Sequence, residues 1–326
     1  MKKNRIVLPR RKTTDIIKEE INLNELKKFS HFKFLIASFL LKKTINEEII
    51  DTFDFINVVR KKYNGSINNK NIKWEKDDFK DIKYNCYYLC NKLRSKLEQK
   101  GINCHYITYK ASGFSSASGD DIMREAHVPL SWITKRKNKY FIVIFDPGLY
   151  IKKPLAFYKD FPTSFRMCNF HVNIMKNNDI NYPYICSIKG KNRNLFGNKD
   201  YDLKYEFNPL YNTLDLESML HPVSLSLLIG FKISRKNNKK TGAYIKLIIF
   251  SKYIEYYNVR ENEIKKIYFK DINKVNLYDD LELTCKMLNK KTLEVVNAII
   301  FLVDNYDNYI KYVIDSEIVG EMSKTK

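Results

Sequence analysis

Three residues of this 326-residue chain are typed and spaced for nucleophilic chemistry: Cys86, His127 and Asp146. Cys86 stands in "IKYNCYYLCNKLRSKLEQKG", at the first turn of an expected helix, with Asn85 able to cap it. Unsatisfied N–H groups and the macrodipole at a helix start stabilise a thiolate. His127 opens "AHVPLSWIT" and Asp146 closes "KYFIVIFD", two alternating segments joined by "KRKN". They read as an antiparallel hairpin. A turn centred between Arg136 and Lys137 sets His127 opposite Asp146 on one face, within reach of a side-chain hydrogen bond. An imidazole oriented by a carboxylate, beside an activated thiol, is the apparatus of covalent catalysis, with the carboxylate expected to accept from Nδ1.

Each residue has a plainer use. A free Cys is commonly a small core residue, a lone His on a strand is commonly structural, and Asp before Pro-Gly forms turns. Helix start, hairpin pairing and chain order agree only on the triad. Cys90 lies a full turn further along the helix, where the dipole helps less. Cys104 and His105 are adjacent on a strand and point to opposite faces. Cys168, His171 and Cys186 suggest zinc ligands, but the sequence supplies no fourth, so no metal is expected.

The elements that must position these residues fall in three regions. From about 14 to 63 the pattern is helical. "TINE" (44–47) reads as a capping box for a helix whose face is Ile49, Phe53, Ile56 and Val59, stopped at Asn64-Gly65. Leu89, Leu93 and Leu97 stripe the Cys86 helix, and Gly101 closes it. Short strands occupy 102–201, including "INCHYITY", with the small-residue loop "KASGFSSASGDD" between the first two. Strands "SLSLLIGFKI", "AYIKLIIF" and "YIEYYNV" follow, then helices around 280–288 and 291–313.

The net charge is +21, yet only 11 of the 58 basic residues are Arg. Together with abundant Asn and Ile, this reads as compositional bias, and no stacking-aromatic or finger motif accompanies it. Dedicated nucleic-acid binding is therefore not expected. "RKNNKK" (235–240) reads as a solvated turn. The longest apolar run, Val295 to Val303, is interrupted at Asn297 and far short of the roughly 20 residues of a membrane span. Six Cys without framework spacing and no apolar core behind the basic N-terminus suggest a reduced, cytoplasmic setting.

The order of Cys, helix ending in Gly, strand, His, then Asp before Pro-Gly resembles the transglutaminase-like cysteine superfamily, and within it the arylamine N-acetyltransferases. "DPGLYIKKPLAF" (146–157) is similar to that family's segment leading from the triad Asp into a Gly-containing loop. "KYEFNPLYNTLDLESMLHPVSLSLLIGF" (204–231) is similar to its Tyr-x-Phe strand and the His-Pro stretch after it. The chain lacks the family's Arg-Gly-Gly before the thiol, and its Gly-rich loop keeps Gly148 alone.

The resemblance implies an α+β fold: an N-terminal helical domain carrying Cys86 (1–110), a central antiparallel β-barrel carrying His127 and Asp146 (111–202), and a C-terminal α/β lid (203–326). It implies ping-pong acyl transfer from acetyl-CoA to a small-molecule amine or a protein acceptor. Gly148 and the basic Lys110, Lys152 and Lys153 would then receive the anionic coenzyme. The superfamily's other branches imply an alternative, hydrolysis or transamidation of protein amides without coenzyme A.

Overall fold

A computed structural model describes residues 18–48, 50–51, 53, 85–111, 127–149, 151–167, 170–192, 199–213, 232–234, 243–248 and 252–308. The chain divides into two compact units. One comprises Thr13–Glu48 and Asn85–Leu220, the other Met1–Lys12, Ile49–Tyr84 and His221–Lys326.

The first unit opens with strand β1 (Lys18–Glu20) and helix α1 (His31–Glu47). Ser30 caps α1, its Oγ accepting the Lys33 N–H at 3.3 Å. Ala37, Leu41, Thr44 and Ile45 turn one face of the helix into the core. "TINE" is therefore the last turn of α1 and not the start of a new helix: Thr44 is buried and its carbonyl accepts the Glu48 N–H. The chain continues in strand β2 (Ile50–Asp51), which belongs to the other unit. Most of the expected second helical segment, 54–63, lies outside the described residues.

Helix α2 spans Asn85–Glu98. Asn85, read from the sequence as its cap, is the first helical residue. Leu89, Leu93 and Leu97 are buried as expected, each side chain contributing about 1.5–3 kcal/mol. Gly101 ends the helix at φ +66°. Its N–H donates to the Glu98 carbonyl and that of Ile102 to the Leu97 carbonyl, the paired bonds of a Schellman motif. Lys33 of α1 donates to the Gly101 carbonyl at 2.7 Å, joining the two helices.

Strands β3 (His105–Tyr106), β4 (Tyr109–Ala111), β5 (Leu130–Arg136), β6 (Lys139–Phe145) and β7 (Leu155–Tyr158) follow. After them come β8 (Ser164–Met167), β9 (Phe170–Lys176), β10 (Tyr184–Asn192), β11 (Lys199–Phe207) and β12 (Tyr211–Thr213). They pair antiparallel into a four-stranded sheet, β3-β5-β6-β7, and a five-stranded sheet, β4-β11-β10-β9-β8, with β1 on β12. Ile133, Ile142, Ile144 and Phe157 from the first sheet share a core with Val172, Ile174, Tyr184, Ile188 and Phe207 from the second. Among the described residues both sheets are open and share one core, and no closed barrel is formed by them.

The second unit is a five-stranded sheet, β16-β15-β14-β13-β2, built from β13 (Lys232–Ser234), β14 (Tyr244–Ile248), β15 (Tyr253–Asn258), β16 (Glu263–Tyr268) and β2. Helices α3 (Leu277–Met287) and α4 (Thr292–Asp304) accompany it. Thr284 of α3 donates to the Tyr257 carbonyl at 2.7 Å, pinning that helix to β15. Most of "SLSLLIGFKI" and all of "RKNNKK" lie outside the described residues.

Candidate active site

The hairpin that carries the His and the Asp forms as expected but with a different turn. Lys137 and Asn138, at φ +50° and +58°, make a two-residue turn centred between them. Left-handed backbone at both positions is the type I′ signature. Leu130 consequently pairs with Phe145 and Arg136 with Lys139. The register expected from the sequence is off by one turn position, which moves every partner by two residues. A two-residue displacement keeps side chains on the same face. His127 and Asp146 therefore still meet, as near neighbours beyond the last ladder pair.

The contact is close. His127 Nε2 lies 2.8 Å from both Asp146 Oδ1 and Oδ2. This corrects the expected nitrogen: Nε2, not Nδ1, faces the carboxylate. Asp146 is fully buried, and its Oδ1 also accepts the Leu149 N–H at 3.0 Å. The Pro147-Gly148-Leu149 turn, closed by the Ile151 N–H on the Asp146 carbonyl, aims that N–H. Gly148 thus sits in the turn that holds the carboxylate. A buried carboxylate with two donors holds an imidazole in one orientation. Tyr205 of β11 lies against the His127 ring, with centroids 5.5 Å apart and planes tilted by 33°.

Cys86 is the second residue of α2; its side chain lies outside the described residues. Cys90, four residues on, is buried and donates its thiol to the Val128 carbonyl at 2.9 Å. Residues four apart share a helix face. The face of α2 that carries Cys90 is therefore the face turned toward Val128. A thiol enclosed in the core and already donating to a carbonyl packs as a core residue.

The remaining expected residues lie on separate elements. Lys110 lies in β4 opposite Glu206, its side chain outside the described residues. Lys152 donates to Asn46 at the end of α1, at 3.1 Å. Burial and then the nearby charge of Lys42 push its pKa below the usual lysine range. Lys153 is exposed. Cys104 is buried, which pushes its thiol up, while His105 Nε2 lies 2.7 Å from the Pro209 carbonyl. Of the zinc candidates, Cys168 lies outside the described residues; exposed His171 pairs with Lys189, three positions along β10 from buried Cys186. Among the described residues no His, Cys, Asp or Glu cluster is suited to a metal.

The sequence reading assigned no role to Tyr205 or to the Leu149 N–H. Tyr205 is the Tyr of the "Tyr-x-Phe" strand already quoted, so its signal was present without its use.

No protein-family model matches the chain, and no curated protein matches it in sequence. Solved structures do. The arylamine N-acetyltransferase of M. tuberculosis superposes with a TM-score of 0.50 at 9% identity, covering 84% of this chain and 93% of that one. That of M. smegmatis gives 0.49 at 11%, covering 84% and 92%. The Mycobacterium marinum enzyme, solved in complex with CoA, gives 0.45 at 10%, covering 86% and 92%. The first of these likenesses shows a fold like that of the arylamine N-acetyltransferases, as the order of motifs implied.

Proposed function

We propose that this chain is an acyltransferase that carries an acetyl group from a coenzyme A thioester to an amine through a Cys86 thioester. The observation that supports this reading best is the His127 Nε2–Asp146 pair, with the carboxylate buried and oriented by the Leu149 N–H. With Nε2 holding its proton toward Asp146, Nδ1 takes the Cys86 proton. The sulfur then attacks the thioester carbonyl, the Cys86 S–C bond forms and the coenzyme S–C bond breaks. The departing thiolate takes the proton from the imidazolium. In the second half the amine nitrogen attacks the acyl carbon and the Cys86 S–C bond breaks. His127 passes the amine proton to the released thiolate. N–H groups at the start of α2 serve as oxyanion donors. Lys110, Lys152, Lys153 and the Gly148 turn serve the coenzyme phosphates.

Incubation with acetyl-CoA, followed by intact mass and peptide mapping, tests the proposal. The expected result is a gain of about 42 Da on Cys86, as for any acetylated thiol, lost on adding an amine and absent in Cys86→Ala. Hydrolysis or transamidation of a protein amide with no adduct from any acyl-CoA overturns the donor and favours the amide chemistry of the wider superfamily.

A further inference from the structure

Helix α1 is apolar on two opposite faces. Ala37, Leu41 and Ile45 face the core, while Phe32, Leu35 and Phe39 on the other side are 72%, 54% and 63% exposed. The spacing i, i+3, i+7 puts these three on one stripe. A helix apolar all round is ordinarily buried, and clustered exposed aromatics mark an interaction surface. The exposure does not come from a loosely held helix. Ahead of the Ser30 cap, Phe29 packs on Phe34, Trp132 and Phe141, with the Arg136 guanidinium 5.0 Å from its ring. At the other end Lys152 bonds Asn46.

The surroundings are basic. Lys27 and Lys28 precede the helix, and Lys42 and Lys43 follow the stripe on the same side; all four are exposed. Lys42 is close enough to Lys152 to oppose its charge. Glu47 is the single acidic residue of α1, and it lies within 3.9 Å of Lys43 and Lys96. The whole chain carries +21. We propose that the outer face of α1 docks on an anionic lipid surface, with Phe32, Leu35 and Phe39 entering the headgroup–acyl boundary and the flanking lysines meeting the lipid charge. Aromatic and leucine side chains along one face with lysines at its margins form the pattern of an interfacial helix lying in the membrane plane. The stripe is on the outer ridge of a single helix, a shape suited to a deformable surface, whereas a peptide partner needs a groove.

The 326-residue chain is sedimented with sucrose-loaded vesicles of phosphatidylcholine plus phosphatidylserine, and with phosphatidylcholine alone. Binding is expected to the mixed vesicles, weakening with salt. Phe32→Gln/Phe39→Gln should reduce it by about tenfold or more, and Lys42→Gln/Lys43→Gln by about fivefold per lysine. All four positions are exposed, so the circular dichroism and melting of the variants should match the parent. Equal sedimentation of parent and Phe variant, or none with either vesicle, overturns the proposal. So does a concentration-dependent dimer in ultracentrifugation that the Phe variant abolishes, which would make the stripe a contact between two copies.

Discussion

Two histidines lie near the same antiparallel sheet, and their partners give them opposite characters. His127 faces both oxygens of a buried carboxylate. His105, on β3, faces only the Pro209 carbonyl, and burial first, then the Arg94 charge, press its pKa down to about 4 against the bond to Pro209. A carboxylate repays the desolvation of an imidazolium, and a peptide carbonyl does so only in part. One ring is paired with a carboxylate, and burial holds the other neutral. Burial of a histidine is thus a poor guide to its role, and the charge of the atom it bonds is a better one.

The comparison breaks most visibly at Asp146. Leu149 N–H donates to Oδ1, so in Asp146→Asn the amide oxygen stays on that N–H and the NH2 turns toward the ring. The amide then donates to Nε2 and forces the proton onto Nδ1, the nitrogen that accepts one in the proposed mechanism. Acyl-transfer rate should fall by roughly a thousandfold or more, as for other orienting carboxylates, with the fold retained. His105→Gln, measured beside it, should keep most of the rate. Comparable losses in both variants would erase the distinction between the two histidines.

The next effect is on stability against pH. His105 binds its proton less readily in the fold, near pH 4, than at the ordinary value of 6.5. Between these values the unfolded chain holds more protons, so stability rises with pH through this window and is lost as pH falls through it. The full difference is about 3 kcal/mol. Denaturant titrations between pH 4 and 7 should show the slope in the parent and a flatter profile in His105→Gln. An unchanged slope would assign the acid lability elsewhere.

Local signals carried much of this far in advance. The Leu89, Leu93, Leu97 stripe and the Gly101 stop are contacts within a few residues, and both formed as read. The hairpin was legible from alternation, but its centre was not. "KRKN" offers several two-residue turns, and the preference for left-handed backbone at Lys137-Asn138 is decided by strand twist and by what both faces bury. "TINE" misled because a capping pattern is only four residues long, and the burial of Thr44 and Ile45 on α1 outweighed it. The ring nitrogen that meets Asp146 depends on side-chain rotation across a loop, which no residue spacing encodes. The coenzyme lysines rest on charge alone, and charge does not specify which strand or loop presents it.

The smallest expected effect concerns Tyr205, and it tests whether the His127 side of the comparison depends on the carboxylate alone. Tyr205 reaches the imidazole from β11, the strand that pairs with β10 at Cys186 and with β4 at Ala111. The carboxylate fixes one end of the imidazole; the Tyr205 face restricts rotation about the remaining bond. Ring pairs of this kind are worth about 0.5–1.5 kcal/mol. Tyr205→Leu should therefore lower kcat by about two- to tenfold, leaving KM for the acyl donor close to the parent value. Tyr205→Phe keeps the ring and should keep most of the rate. A Leu variant that raises KM with kcat intact would make Tyr205 a substrate contact. One that matches the parent in both constants would leave Asp146 as the sole orienting group.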